Sequence, residues 1–439
     1  MIKAKISSQY LASAFFLIAG INAFMLGGTW LFSIYYRDNL LGDWNTGSAI
    51  KYVLVQFNLA TENVLASWYS SMLLLLVAIM SLICFSADRK RFAHKNGWLN
   101  GGWLFFSLIF ALLSLDEIGS LHERVGQIAS FNPFGGYALG WVYVLAIPIA
   151  TVSSCMLIFS WIRLRKHWLS LIFLLLGMAS FISIPFQEHI ETAMKIAAGE
   201  GWHRPIFLTL LEEGAELFGS LCFLIATTLY GSWSGKKTDI LSLSDIKLEL
   251  SYSQKKSLVY GIAAIVCVGI VMILLDLTIA QAEGDTGIAK NWFPSAAAFL
   301  SALICFYRSS KQSKIGRYQK STYFLMGFVS LIFSAYYGSG LYLYTLWSST
   351  FTSQLILGFS IAVTTATTAM FFLRAKIVGW QSWAIALAWL TLLGLAFSFG
   401  KFYAPQLSYL AFSSLLLFLC NYAPNLKPVP VLSPLVKRY

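Results

Sequence analysis

The sequence predicts an all-α protein, a polytopic transmembrane helical bundle of about 12 spans. Three observations lead to this fold class. Of the 439 residues, 58% are hydrophobic and 11% are charged, whereas soluble domains average roughly 45–50% apolar and about 25% charged residues. The mean hydropathy is +0.69. Apolar stretches of about 20 residues, the length of a membrane-spanning helix, recur from one end of the chain to the other.

The predicted spans follow one another along the whole chain. The first apolar stretch comes after Lys3 and Lys5 and is longer than the roughly 7–15 apolar residues of a cleaved signal peptide, so we interpret it as a signal anchor. The predicted spans are 10–36, 64–86, 98–118, 138–162, 168–190, 206–231, 258–282, 291–308, 321–346, 352–373, 379–402 and 406–422.

The distribution of charges predicts the orientation of these spans. With the N-terminus in the cytoplasm, most of the 31 Lys and Arg residues fall in cytoplasmic connections, as the positive-inside rule requires, and the C-terminus is cytoplasmic too. The basic residues are spread over short loops, so the net charge of +12 does not indicate nucleic-acid binding. Most of the 19 Asp and Glu residues lie outside or in the outer ends of spans, and the positive-inside rule does not predict that asymmetry.

A Ser-rich connection of mixed charge divides the chain. Residues 1–231 form a first six-span half that carries the acidic and His residues, and residues 232–257 form a cytoplasmic linker. Residues 258–422 form a second six-span half, followed by a cytoplasmic tail, 423–439. A 6+6 plan is common in transporters, although the sequence shows no convincing internal repeat.

The third span ends in the segment LLSLDEIGSLHERV (112–125), which is dense in ionisable residues. An ionisable side chain at membrane depth is costly unless it is paired, hydrated or bound to a metal, so this density indicates a site. Asp116 and Glu123 share one helical face. His122 lies about 120° from Asp116 on a regular helix, so it joins that face only if the helix ends near Gly119.

The fifth and sixth spans carry further acidic residues at the same side of the membrane. In FQEHIETAMK, Glu188 lies on a polar stripe and His189 points about 100° aside. In LLEEGAELFGS, Glu212, Glu213 and Glu216 lie so close in sequence that their negative charges repel, so we expect at least one to be protonated, paired with a cation or bound to a metal. Glu216 lies deepest, roughly 15 Å into its span.

Other polar residues are candidates for substrate binding. In the second span, Glu62 and Asn63 precede SWYSS, and Asn63, Ser67 and Ser70 share one helical face. In the seventh span, Asp276 lies at a depth similar to that of the acidic residues in the first half. Together these residues predict a polar layer in the outer third of the bilayer.

Carboxylates with one or two His residues are the ligands that Zn²⁺, Fe and Mn use in helical bundles. The leading hypothesis is therefore a metal-dependent membrane enzyme acting on a lipid or other membrane-derived substrate, with Glu216 and Asp116 as acid–base groups. No HExxH motif supports the metal, and a zinc site of His122, His189 and His203 is a variant of this hypothesis. The predicted metal ligands are Asp116, His122, Glu123, Glu188, His189, Glu212 and Glu216.

Two other hypotheses explain the same residues. The first is a proton- or cation-coupled secondary transporter, in which the carboxylates bind the coupling ion. The second is a structural membrane protein without chemistry, in which the carboxylates pair with Arg124, Lys195 and Arg204. Glu117 in particular shares a helical face with Arg124, and we expect these two to pair at the membrane interface.

Three segments resemble the recurring motifs of a family of uncharacterised bacterial multi-pass membrane proteins. They are ENVLASWYSSMLLL (62–75), LSLDEIGSLHERV (113–125, pattern LSxDExxxLHE) and LLEEGAELFGS (210–220, pattern EExxExxG). The resemblance covers mainly the first six spans. It implies only that these segments belong together, and it carries over no substrate or cofactor. We expect the protein to lie in the bacterial inner membrane, surrounded by the lipid bilayer.

Overall fold

The computed structural model describes residues 8–37, 53–61, 64–91, 97–122, 140–199, 202, 204–236, 288–311 and 317–340. Within these ranges the regular structure is α-helical and contains no strand, so the predicted all-α class is confirmed for this part of the chain. Predicted spans seven, ten, eleven and twelve lie outside the described residues. The same holds for the candidate site residues Glu62, Asn63, Glu123, His203 and Asp276.

The described helices coincide with predicted spans one to six, eight and nine. They are α1 Ser8–Arg37, α2 Leu65–Arg91, α3 Gly97–Gly119, α4 Gly140–Leu164, α5 Trp168–Ala198, α6 Ile206–Lys236, α7 Ile288–Lys311 and α8 Arg317–Gly338. Helix α5 continues about two turns beyond its predicted end, so Lys195 is helical. Helix α8 ends earlier than predicted, because the chain leaves the helix just before Gly340, which has a positive φ of 63°.

Among the described residues, five helices are long and apolar enough to cross a membrane. Their spans are Leu11–Tyr35, Leu65–Asp88, Gly101–Gly119, Leu145–Leu164 and Trp168–Ala198. Large apolar side chains on these helices point outward: Phe16 is 78% exposed and Ile147 is 79% exposed. An outer surface of this kind is stable against lipid and costly in water, as expected of a membrane bundle. Helices α7 and α8 contribute the shorter apolar stretches Asn291–Tyr307 and Tyr323–Gly338.

The chain separates into two compact units, Met1–Asp245 and Ile246–Tyr439. In the first unit, α6 packs against α1, α2 and α5, while α2 packs along α3, and α4 contacts α3 and α5. The most apolar part of α2 is 61% buried, against 17% for α1 and α4, so α2 lies near the centre of the unit and α4 at its edge. The predicted boundary at the 232–257 linker stays a prediction.

Paired serines join neighbouring helices in each unit. In the first unit, the Ser71 hydroxyl of α2 donates to the carbonyl oxygen of Ser114 of α3 at 2.6 Å. In the second unit, Ser295 of α7 and Ser334 of α8 each donate to the other's carbonyl oxygen, at 2.8 Å and 2.9 Å. Small hydroxyl residues let helix backbones approach closely and satisfy each other's polar groups where no water is present.

Candidate functional site

The end of α3 brings Asp116 and His122 together. The helix stops at Gly119, and Ser120 takes a left-handed conformation with φ 44°. The turn folds the following residues back, so the backbone N–H of His122 donates to Oδ1 of Asp116 at 2.8 Å, while Nδ1 of the imidazole lies 2.8 Å from Oδ2. The sequence predicts that His122 joins Asp116 only if the helix ends near Gly119, and the structure meets this condition.

Glu117 of α3 lies toward α2 and α6, and its predicted pairing with Arg124 at the interface stays a prediction. The hydroxyl of Ser70 on α2 donates a hydrogen bond to the Glu117 carboxylate, and Asp116, His122 and Glu212 are its electrostatic neighbours. Arg124 lies outside the described residues. The spacing of residues along α3 already indicates that the Glu117 side chain points toward the other helices.

The missed signal is the buried stripe of α3. Phe106, Phe110 and Ser114 are all at most 1% exposed, and they succeed one another every four residues. Glu117 continues this stripe at the next helical turn, three residues after Ser114. A polar residue on the continuation of a buried apolar stripe is a stronger indication of a site than a polar residue beside another charge.

Helix α6 supplies the carboxylate that faces Glu117. Of the charged side chains around Glu216, Glu117 acts on it most strongly, and Glu213, Glu212 and Asp116 also act on it. Three helices therefore contribute to one group of side chains: Ser70 from α2, Asp116 and Glu117 from α3, and Glu216 from α6. We call Ser70, Asp116, Glu117, His122, Glu188 and Glu216 the acidic cluster.

Arg204, in the segment before α6, neutralises part of the surrounding negative charge. Its Nε lies 2.8 Å from a carboxylate oxygen of Glu191, and its Nη2 forms an ion pair with Glu212. Burial alone would lower the pKa of Arg204, but Glu212 and Glu191 raise it above the ordinary value, so the guanidinium stays charged. Glu191 is thus paired with Arg204 rather than with Lys195, which is exposed.

Glu188 is the member of the acidic cluster on α5, and it also interacts electrostatically with the residues of the Arg204 ion pairs. Its electrostatic neighbours include Glu212, His122 and Arg204. Among the ion pairs of the described residues, Glu117, Glu188 and Glu216 do not appear. Within the described residues, the structural hypothesis therefore accounts for Glu191 and Glu212, while Arg124, another cation of that hypothesis, lies outside them.

Two of the predicted site residues do not belong to the acidic cluster. His189 on α5 is exposed. The Ser67 hydroxyl is bonded to the backbone of Val64, from which it accepts an N–H at 3.1 Å and to which it donates at 3.0 Å, and so it caps the start of α2. In the described part of the chain, no group of three or more His, Cys, Asp or Glu residues is arranged so that it could hold a metal ion.

A second polar cluster surrounds Asp88, which follows the predicted end of span two at residue 86 but lies on α2. Asp88 is fully buried and accepts hydrogen bonds from Trp103 Nε1 at 2.8 Å, from the Tyr230 hydroxyl at 2.8 Å and from Ser234 at 3.2 Å. Arg163 of α4 binds the same carboxylate through Nε at 2.6 Å and Nη2 at 2.5 Å. Such a charge-assisted network satisfies every acceptor site of the buried carboxylate.

Aromatic side chains separate the two clusters. Phe106, Phe110 and Phe223 are buried between them, with the rings of Phe110 and Phe223 4.7 Å apart. On α2, Ser70 of the acidic cluster and Asp88 lie roughly 27 Å apart by helical rise. The clusters therefore occupy opposite ends of the same three helices.

Comparison with known proteins identifies no activity. Residues 16–230 match the model of the family described as Domain of unknown function (DUF8692). The match takes in nearly all residues of both clusters and a little under half of the 439-residue chain. No curated protein and no solved structure matches the chain.

Proposed function

We propose that this protein is a twelve-span protein of the bacterial inner membrane. In this proposal the acidic cluster exchanges protons with a lipid or other membrane-derived substrate. The family that the chain resembles has no assigned activity. Both termini lie in the cytoplasm, and the cluster lies in the outer third of the bilayer. The observation that carries the proposal is the hydrogen-bonded pair of Asp116 and His122 beside the carboxyl groups of Glu117 and Glu216.

The chemistry follows from the residue types. Asp116 holds the imidazole of His122 through Nδ1, so proton exchange takes place through Nε2, and the carboxylate stabilises the imidazolium that forms. Two neighbouring carboxyl groups such as Glu117 and Glu216 can hold one proton between them and release it to a substrate. A base and an acid in one cluster are the requirements for hydrolysis or transfer of a polar lipid headgroup.

A metal-dependent form of this site is a variant of the same proposal. When a His binds a metal through one ring nitrogen, a carboxylate commonly accepts a hydrogen bond from the other ring nitrogen. Zn, Fe or Mn bound near His122 and Glu216 would activate water. Elemental analysis of the purified protein tests this form: a stoichiometric metal that Glu216→Gln removes would support it, and a metal-free active protein would contradict it.

The second candidate function is proton- or cation-coupled transport. The observation that favours it is the polar cluster around Asp88, which lies at the opposite end of the helices that carry Glu117 and Glu216. Transporters of this kind bind the ion between two ends that open alternately.

The experiment uses the full chain reconstituted in liposomes made from a total bacterial lipid extract, with mass spectrometry of the lipids over time. We expect a lipid product with the wild type, and a rate lower by about 100-fold or more with His122→Asn, because a general base contributes that much. The control is His189→Asn, which changes an exposed His on α5 and leaves the rate unchanged. The enzyme proposal is wrong if no lipid changes, and proton flux into the same liposomes would then identify a transporter.

A further inference from the structure

The carboxylate of Asp88 accepts more hydrogen bonds than a carboxylate in a surface ion pair. The cluster around it also lies apart from the acidic cluster. Asp88 is 0% exposed and its two oxygens accept from α3, α4 and α6 at once. The Arg163 side chain is 10% exposed. The carboxylate therefore has no access to water, whereas the guanidinium lies at the edge of the network.

Helix α4 is attached to the bundle near this end. Its buried side chains are Met156, Phe159, Ser160 and Leu164, all in the last third of the helix, among the residues that the structure describes. Earlier in α4, Ile147 is 79% exposed. The ion pair of Arg163 with Asp88 therefore lies in the short segment through which α4 is held.

Aromatic rings cover the network on the side of the α4–α5 turn. His167, in that turn, has its ring centroid 3.5 Å from that of Trp233 on α6, and Trp233 lies 5.7 Å from Tyr230. Tyr230 in turn donates to Asp88. If α4 moved away from the bundle, the Arg163 contact and this ring contact would be lost together, because both belong to the same end of the helix.

We propose that Asp88 and Arg163 form a latch that holds the end of α4 against α2, α3 and α6, and that release of this latch opens the end of the bundle remote from the acidic cluster. The inference concerns a different part of the molecule from the proposed lipid chemistry at the acidic cluster and does not depend on it. The two partners respond differently to separation. Arg163 can extend its long side chain to water, whereas Asp88 is left as a buried carboxylate without its cation.

A native thiol reports on opening. Cys84 lies one helical turn before Asp88, is 0% exposed, and its Sγ donates to the carbonyl oxygen of Thr227 at 3.2 Å. A membrane-permeant maleimide reaches this thiol only when the packing of α2 against α6 opens. Cys222 on α6 is 1% exposed and serves as a second buried thiol for comparison.

The experiment measures the rate of N-ethylmaleimide labelling in membranes, in the full chain carrying Cys84 as its only cysteine. We expect Arg163→Gln to raise the labelling rate at least about tenfold, since a latch without its cation opens more often. Asp88→Asn should raise the rate less, because the neutral amide can remain buried, and the double variant should resemble Asp88→Asn. Arg165→Gln is the matched control: it removes an exposed positive charge two residues away and leaves the rate unchanged.

Two results would overturn the latch. The first is an unchanged labelling rate of Cys84 in Arg163→Gln. The second is an equal increase for Cys222, measured as the only cysteine in the same variant. Such an increase would show that Arg163 braces the whole unit rather than closing one end.

Discussion

Adjacent glycines on α3 test how α4 is docked. A Cβ atom at Gly101 would meet nothing within 4 Å, whereas a Cβ atom at Gly102 would overlap the ring of Phe159 on α4. The ring cannot easily move aside, because it is buried with its centroid 5.2 Å from Trp103 and 5.5 Å from Phe106. We therefore expect Gly102→Ala to destabilise the protein and Gly101→Ala to leave it unchanged or slightly more stable.

The magnitude follows from two opposing effects. Alanine is favoured over glycine in a helix by about 0.8–1.0 kcal/mol, and this gain is the same for both variants. Overpacking of a buried site costs about 1–3 kcal/mol, and only Gly102→Ala has this cost. The free energies of unfolding of the two variants should therefore differ by about 1–3 kcal/mol, because the propensity terms cancel.

The assay is equilibrium unfolding in mixed micelles with increasing sodium dodecyl sulfate, followed by tryptophan fluorescence. Both variants are compared with the wild type in the same micelles. If the unfolding free energies of Gly101→Ala and Gly102→Ala agree within about 0.5 kcal/mol, the range of ordinary surface substitutions, then Phe159 does not pack against Gly102 as described.

The same unfolding assay checks two further contacts. Ser71→Ala removes the hydrogen bond to Ser114 and should cost about 0.6–1 kcal/mol, in the range of hydrogen bonds between membrane helices. Ser81→Ala loses a hydrogen bond within its own helix and should cost less, so equal losses would contradict an interhelical role for Ser71. Gly219→Ala places a Cβ atom 2.7 Å from the Phe181 ring between α5 and α6. It should cost about 1–3 kcal/mol, and a neutral result would mean that these helices are further apart.

The acidic cluster shows where sequence reasoning succeeds within one helix. The position of His122 could be predicted conditionally, because helical geometry specifies that it joins Asp116 only after a break near Gly119. The inward direction of Glu117 was equally accessible from the buried stripe that contains Phe110 and Ser114. The competing signal, the basic residue Arg124 about two helical turns further on the same face, favoured a surface pair instead.

Partners on different helices could not be predicted in the same way. The sequence suggested three basic residues as possible partners of the carboxylates, and Arg204 was one of them. Only the fold shows that Arg204 pairs with Glu191 and Glu212. The sequence did not indicate that Asp88 is buried, because Asp88 is the first residue of the basic segment DRKRFAHK. Its partner Arg163 lies 75 residues further along the chain.

The sequence by itself determined the helical class and the positions of the described helices to within a few turns. The reason is that hydropathy is a local property, summed over about 20 neighbouring residues. Only the tertiary structure decided that Ser70 meets Glu117, that Glu117 faces Glu216, and that Asp88 is satisfied from three other helices. These contacts depend on the rotation and packing of helices around one another, and the local pattern of apolar residues constrains both only weakly.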